Sequence, residues 1–517
     1  MKEYIHPTDA SIHSLLHEKF HLPSLYPYQE LVIRTILERS GLYGTARREN
    51  APPQQIVVLP TGSGKSVCFM LPALLIPGIT MVIYPLLSLM NDQGRRMDQL
   101  GEKALFLRGG QTVAEREAVW SALEDTQAKF IITNPETLQS KKVLTRLSAY
   151  PISLLVIDEV HTVTQWGETF RSAYLELPQV FNTLKPDQIT AFTATASPRI
   201  IQRITEILFR GQQPHVVLGD PDRPNITYRS LPTLSKMHAL EMLVQRCIQR
   251  PAVLFCATRN RCEQFAWELK RRNPSLPIRY YHAGLDKKER EKTEQWFFDH
   301  NEALLFSTSA YGMGVDKKQI RSVIHIDLSY DVESFLQESG RAGRDGNPAQ
   351  SIVLLGAEES QKAKIYKNSH PFKQFLTVWQ QTNQCRREAL LLLMGFAHDS
   401  CSGCDICNQT VVEEPDGKSQ ILRLIRWYPL RYTSSEAAFL LAGSYSLLHC
   451  PPLMRSNPFF GLLHNWEAQD IIQAITRLIH EGDIFLSTHF PRKGVLYLKF
   501  RLFQASRRES ARPFTIK

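Results

Sequence analysis

The sequence predicts an α/β protein with two tandem parallel-sheet domains. A small cysteine-bearing helical subdomain follows, then a C-terminal domain of helices and a hairpin. Three observations carry this. Short apolar runs alternate with stretches of helical length from Ile56 to Leu355, the pattern of βαβ units. The turn-rich segment Asp220-Pro-Asp-Arg-Pro-Asn225 breaks that alternation into two halves. Four of the nine cysteines then fall between 385 and 407.

At 517 residues the chain is too long for one core. The expected divisions are 1–219, 220–357, 358–415 and 416–505, with a basic tail at 506–517. The net charge is +10, and from Gly417 to Lys517 there are 14 Lys and Arg against 6 Asp and Glu. A basic C-terminal region fits a polyanionic partner, although a solvated surface would give the same count. Five cysteines are scattered: Cys68, Cys247, Cys256, Cys262 and Cys450. With a polar N-terminus and no signal peptide, they predict a reducing compartment, the cytoplasm. The apolar stretch Val67–Met90 contains Pro72, Pro77, Gly78 and Pro85. It predicts a helix, a turn and a buried strand Ile79–Tyr84, so no membrane is expected as a partner.

In the first half, Leu59-Pro-Thr61-Gly62-Ser63-Gly64-Lys65-Ser66 lies between an apolar run and a helical stretch. Glycines there let backbone N–H groups wrap a phosphate chain at a helix N-terminus. Lys65 would reach the outer phosphates and the Ser66 hydroxyl would hold Mg²⁺. Leu59 stands where the longer motif has Gly or Ala, so this is the shorter TGxGKS form. The alternative is a chance turn. Upstream, Gln29 offers an amide that can pair with both edge groups of adenine, and the plainer reading is a surface glutamine.

Leu154-Leu-Val-Ile-Asp158-Glu159-Val160-His161 predicts a buried strand with two carboxylates at its tip. Asp158 would serve the Mg²⁺ shell, and Glu159 would orient or deprotonate the attacking water. Gln165, Trp166, Phe170, Arg171 and Tyr174 then make an aromatic loop. Exposed, it would stack unpaired bases; buried, it would be a satellite core. Thr193-Ala-Thr-Ala196 could link the nucleotide to the other domain.

The second half predicts strands at Val253–Cys256, Arg279–Tyr281, Leu304–Ser307, Val323–Ile326 and Ile352–Leu355, with no phosphate loop of its own. It contains the Tyr311–Asp316 segment and Gln337-Glu-Ser-Gly-Arg341-Ala-Gly-Arg344-Asp-Gly346. Read as a helix start, the latter turns Arg341 and Arg344 the same way. Across a cleft they could act as arginine fingers; otherwise they form ordinary salt bridges.

Cys401-x-x-Cys404-x-x-Cys407 follows Cys385 by sixteen residues. Four thiolates so spaced can close a tetrahedral, structural Zn²⁺ site. An iron–sulfur cluster also takes four cysteines. Arg386 and Arg387, beside the first ligand, are expected either on a DNA backbone or in solvent.

The ordered set TGSGKS, DEVH, TATA, Tyr311–Asp316 and QESGRAGRDG resembles superfamily 2 helicases. QWGETFRSAY, DRPN and the cysteine cluster narrow the resemblance to the RecQ family, from about Leu22 to Leu498. It implies two RecA-like domains, a zinc-binding helical subdomain and a winged-helix domain. It also implies 3′-to-5′ DNA unwinding with ATP and Mg²⁺, on single-stranded and partly duplex DNA, in repair, recombination or defence. In a bacterium that would be at the nucleoid. Asp316 joins the nucleotide-binding set, and zinc is favoured over iron–sulfur. The chain departs from the family at Val160, at Ser172, at Leu22 (usually aromatic) and at Tyr26 (usually Arg), while Gln29 is retained. The departures at Leu22 and Tyr26 predict looser adenine selectivity.

In the C-terminal region, Ile421–Trp427 and Ser435–Leu441 have helical spacing, with Thr433 as a cap. Glu467–His480 would be the recognition helix. Ile484–Phe490 and Val495–Leu498 would form a hairpin across Pro491–Gly494. There His489 or Phe490 could wedge the duplex, or Arg492 and Lys493 could simply touch phosphates. No further helical nucleic-acid-binding module, such as an HRDC domain, is expected after Phe500. An RNA-directed helicase and a translocase that separates no strands are the alternatives.

Overall fold

A computed structural model describes residues 9–42, 53–60, 63–125, 128–165, 172–309, 317–367, 370–397, 400–444, 455–488 and 493–498. Seven strands form the first sheet: β1 (Gln54–Val58), β2 (Ile79–Ile83), β3 (Ala104–Leu107), β4 (Phe130–Thr133), β5 (Ile152–Ile157), β6 (Ile189–Thr193) and β7 (His215–Leu218). Their order is β3-β4-β2-β5-β6-β1-β7, with every neighbouring pair parallel. β2, β4, β5 and β6 are buried along their whole length. Helices cover both faces of a parallel sheet, so such strands read as unbroken apolar runs. The edge strand β7 is exposed at three of its four residues, and β3 alternates. Because all strands run one way, the segments leaving β1, β5 and β6 emerge at the same edge, where open α/β sheets bind ligands.

The second sheet has the order β10-β11-β9-β12-β13-β8. Its strands are β8 (Ile226–Pro232), β9 (Ala252–Phe255), β10 (Ile278–Tyr281), β11 (Leu304–Ser307), β12 (Ser322–His325) and β13 (Ala349–Leu355). β10 to β13 and β9 follow the sequence reading to within a few residues, and their ladders are parallel. β8 starts directly after Asn225, so the expected linker is also the lead-in to an edge strand.

One element differs from expectation. The helix Val332–Ser339 ends at Gly340, and residues 340–346 form a turn beyond it. Arg341 and Arg344 therefore follow a helix end, not a helix start. Leu336 and Ser339 bury the last helical turn, and the glycines at 340, 343 and 346 end the run.

The stretch 67–90 divides into the helix Lys65–Leu75, which contains Pro72, then β2 and the start of the helix Leu87–Gln99. Among the described residues no helix is long and apolar enough to cross a membrane.

The chain forms two compact units. The larger comprises 1–230, 248–353 and 363–411; the smaller comprises 231–247, 354–362 and 412–517. The smaller unit is built on the helices Lys418–Trp427, Ser434–Ala442 and Ala468–Glu481. Ile421, Leu424, Leu440, Leu441, Ile471, Ile475 and Leu478 close its core with no exposure. Thr433 and Glu436 form the reciprocal cap that the sequence predicts. The hairpin is short: β14 (Phe485–Leu486) pairs antiparallel with β15 (Leu496–Tyr497). Leu430–Thr433 adds a third line of pairing, through Leu430 N–H to Leu496 and Leu496 N–H to Tyr432.

Candidate active site and metal centre

Gly64 caps the helix Lys65–Leu75 with φ +76°, a conformation that glycine adopts freely. A Cβ there would stand 2.6 Å from the Gln29 amide nitrogen. Gln29 is buried, and both ends of its amide are engaged. Its Oε1 accepts from the Tyr26 N–H at 2.9 Å, and its Nε2 donates to the Ser63 carbonyl at 2.8 Å. Leu22 packs against the core. Tyr26 is 61% exposed and stacks on Tyr28, with ring centroids 5.4 Å apart and planes 11° apart.

Lys65 pairs with Glu159 at 3.3 Å. Ser66 donates to Gln93 Oε1 at 3.1 Å, which uses the hydroxyl hydrogen and leaves the oxygen lone pairs open. Sequence reasoning missed Gln93; its signal is a glutamine on the buried side of the helix Leu87–Gln99. The Ser63 hydroxyl is buried and has no hydrogen-bond partner among the described residues. An orphaned donor beside a paired lysine, at a glycine-capped helix start, is the donor set that a phosphate chain fits.

Asp158 and Glu159 leave β5 in opposite electrostatic states. Burial, and then the Glu159 charge, push the Asp158 carboxyl up to about 6. Burial opposes ionisation of Glu159 too, but Lys65 and His161 outweigh it and hold its carboxyl far below the usual range. Adjacent carboxylates so separated can take different roles. Glu159 also has φ +49°, strain of the kind that gathers at active sites.

His161 carries the network onward. Its Nδ1 lies 3.3 Å from Glu159 Oε2 and 2.9 Å from Thr193 Oγ1. The Thr193 hydroxyl donates to the Thr195 carbonyl at 3.0 Å, which leaves its oxygen to accept from His161 Nδ1–H. Two residues on, the Ser197 hydroxyl donates to Glu333 of the helix Val332–Ser339 at 2.5 Å. Thr193–Ala196 thus lies between the carboxylate pair and the second sheet's domain, as its sequence position suggests.

The turn carrying Arg341 and Arg344 is held from outside. Arg223 donates to the carbonyls of Gly340 at 3.2 Å and Gly343 at 2.8 Å. Asn225 donates to Gly343 and Asn347, and Arg321 makes a two-point pair with Asp345. Gly343 has φ +56°, and a Cβ there would meet Asn225 Nδ2 at 2.4 Å. Arg341 is buried and Arg344 half-buried. The DRPN segment therefore shapes the arginine turn, a role its sequence does not announce.

Thr61, Gly62, Trp166, Phe170, Arg171, Asp316, His489, Phe490 and Arg492 lie outside the described residues, as does the side chain of Gln165.

Cys385, Cys401, Cys404 and Cys407 bring their sulfurs within 4.8 Å of one another. Cys385 and Cys404 are 3.9 Å apart, too far for a disulfide. A tetrahedron of Zn–S bonds of about 2.3 Å has edges of roughly 3.8 Å, so these four thiols fit a closed zinc site. Arg386 and Arg387 are on neither DNA nor solvent: each is 1% exposed. Arg386 pairs with Asp405 at 2.6 Å and caps the carbonyls of Val378 and Trp379. Arg387 pairs with Asp222 and donates to the Ile226 carbonyl. A guanidinium has five donors and is buried only where carboxylates and carbonyls receive them.

Residues 26–204 match the DEAD/DEAH box helicase family model, and 235–346 match the helicase conserved C-terminal domain. The chain is 34% identical over 363 residues to the ATP-dependent DNA helicase RecQ of Pasteurella multocida, covering 68% of this chain and 57% of that one. It is 30% identical over 445 residues to RecQ of Bacillus subtilis, covering 83% of this chain and 75% of that one. The chain spans under three fifths of the Pasteurella multocida and Haemophilus influenzae RecQ proteins. Among solved structures, the helicase MrfA bound to DNA and AMPPNP has a TM-score of 0.54 at 20% identity, over 79% of this chain and 60% of that one. Dbp5 of S. cerevisiae, bound to RNA and ADP BeF3, has a TM-score of 0.51 at 16% identity, over 74% and 97%. At such identities the likeness is one of fold.

Proposed function

The chain belongs to the RecQ family of superfamily 2 helicases, and from that premise we propose that it is an ATP-dependent DNA helicase moving 3′ to 5′. One observation carries the proposal: the line of contacts from Lys65 through Glu159, His161 and Thr193 to the Ser197–Glu333 bond. It joins the phosphate-loop lysine to the domain of the second sheet.

The resting pairs define the cycle. Lys65 turns from Glu159 to the outer phosphates of ATP, which frees Glu159 to orient the attacking water. Ser66, through its hydroxyl oxygen, and Asp158 would hold Mg²⁺ or its water shell. Bound Mg²⁺ would neutralise charge on the outer phosphates. Arg341 and Arg344 complete the site from the second domain. His161 senses the change at Glu159 and transmits it through Thr193 to Ser197. The Trp166 loop is the proposed single-strand sensor, and the four cysteines hold a structural zinc. The smaller unit reads as a winged helix, supported by its three helices and three lines of strand pairing.

The test is strand separation with ATP on a 3′-tailed DNA duplex, a 5′-tailed DNA duplex and a 3′-tailed RNA duplex. Separation of the first alone is expected. DNA-stimulated hydrolysis without separation of any duplex would replace the helicase with a translocase. Separation of the RNA duplex alone would make it RNA-directed.

A further inference from the structure

The smaller unit carries a charged aromatic surface that lies on neither the expected recognition helix nor the hairpin. From Gly417 to Ser435 there are four basic residues and no acidic one: Lys418, Arg423, Arg426 and Arg431. Lys418 is taken by Asp483 at 2.7 Å. Arg423 and Arg426 are exposed and make no ion pair among the described residues. Both lie on the helix Lys418–Trp427, where Arg423 is three residues from Arg426 and four from Trp427. That spacing places all three on one face.

Trp427 is 68% exposed. It is not loose, because its ring sits edge-on to the buried Phe459 with centroids 6.3 Å apart. Tyr428 packs on Phe459 and on Tyr432. The Arg431 guanidinium stands 5.9 Å from the ring centres of both Tyr428 and Tyr432. The result is an indole held by a ring contact, largely exposed and flanked by arginines.

The expected recognition helix, Ala468–Glu481, offers less. Its exposed side chains include Gln469, Gln473, Thr476 and His480, and its arginine, Arg477, is paired with Glu481 at 2.8 Å. Another exposed tryptophan, Trp267, differs in the same sense: Glu263 and Arg271 lie four residues to either side, so its face has mixed charge.

We propose that Trp427, with Arg423, Arg426 and Arg431, binds single-stranded DNA, the indole stacking on an unpaired base and the arginines contacting its phosphates. The polyanion follows from the unbroken positive charge. The unpaired base follows from an exposed, braced ring, since a stacked duplex presents no free base face. The proposal rests on the DNA-helicase reading above and adds to it a site outside the two sheet domains.

The test uses the full chain and fluorescence anisotropy with an oligo-dT strand and a blunt duplex, across a salt series. Trp427→Ala should weaken oligo-dT binding by about 5- to 150-fold, the range for losing one stacked base. Trp427→Phe, which keeps a ring, should recover most of that loss, and duplex binding should change less. Arg423→Ala and Arg426→Ala should each lower the salt-dependence slope by about 0.7, one single-strand phosphate contact. Oligo-dT affinity unchanged in Trp427→Ala, while the wild type binds DNA, would overturn this site and leave the helicase reading standing. Equal losses on both DNAs without rescue by Phe would make Trp427 a packing residue and overturn it too. A wild type that binds neither DNA would instead remove the helicase reading.

Discussion

Lys65, half-buried, and Arg387, fully buried, are both cations tied to carboxylates, but they are tied differently. Lys65 makes one ion pair at 3.3 Å, and both partners keep 14% of their side-chain surface. Around it, Ser66–Gln93 and Gln29–Ser63 are likewise single hydrogen bonds between polar groups that a nucleotide or cation could replace. Arg387 reaches Asp222, Arg223, Ile226 and Gly403 together at 1% exposure. A site that must exchange partners is held by single, partly wet contacts. A joint that must not move is held by a guanidinium bonded to several partners at once. Desolvation explains the difference: a dry, multiply bonded charge cannot leave without stranding its partners.

The largest effect should come from breaking the fixed side. Arg387→Ala leaves Asp222 buried without its cation and should destabilise the larger unit by about 3–5 kcal/mol, read by chemical denaturation. A loss below about 1 kcal/mol would place Arg387 with the exchangeable group. In the same module, Cys404→Ser should remove one zinc per chain, counted by metal analysis of the folded protein. An unchanged count would reject that ligand.

Next is the exchangeable side. Lys65→Ala should lower ATP turnover by about 10²- to 10³-fold, with much less effect on stability than Arg387→Ala. Unfolding comparable to that of Arg387→Ala would erase the contrast.

Glu333 sharpens the comparison, because it is a buried carboxylate with a hydroxyl partner and no ion pair among the described residues. Burial, and then Asp331, raise its carboxyl above the usual range. The neutral form is therefore favoured by folding. The stability this group contributes is complete below the ordinary carboxylate range and is lost as pH rises through the raised value. Glu333→Gln keeps an acceptor for Ser197 without the charge. Its Tm should match the wild type in acid and equal or exceed it at neutral pH, and a variant that falls behind as pH rises would reverse the assignment. The smallest effect belongs to Gln93→Ala. Losing the acceptor that orients the Ser66 hydroxyl should raise the Mg²⁺ concentration for half-maximal hydrolysis by a few-fold, since one net hydrogen bond is worth about 1 kcal/mol.

Legibility in the sequence follows the same division. The phosphate loop, the carboxylate pair, the Thr433 cap and the cysteine spacing can be read because each is confined to a short stretch. The buried strands can be read because two covered faces demand continuous apolar residues. Gln93, Arg223, Asn225, Arg386 and Arg387 could not be assigned, because their partners are distant in the chain. Arg387 and Asp222 are separated by 165 residues, and nothing near either one distinguishes a buried pair from a solvated one. The arginine turn reads as a helix start for a similar reason: Arg223 and Asn225, distant in the chain, hold its carbonyls.

The grip of Arg387 on Asp222 and Ile226 bears on how the protein can be dissected. The turn-rich segment looks like the natural place to cut or recombine, and residue 357 looks like a clean end for a minimal two-sheet motor. Neither is a clean seam. A fragment ending at 357 would strip Asp222 of the Arg387 cation and Ser230 of its acceptor Asp405, so truncation should loosen the sheet domains as well as the cysteine module. A chimera that borrows the cysteine module from a relative should borrow residues 220–230 with it.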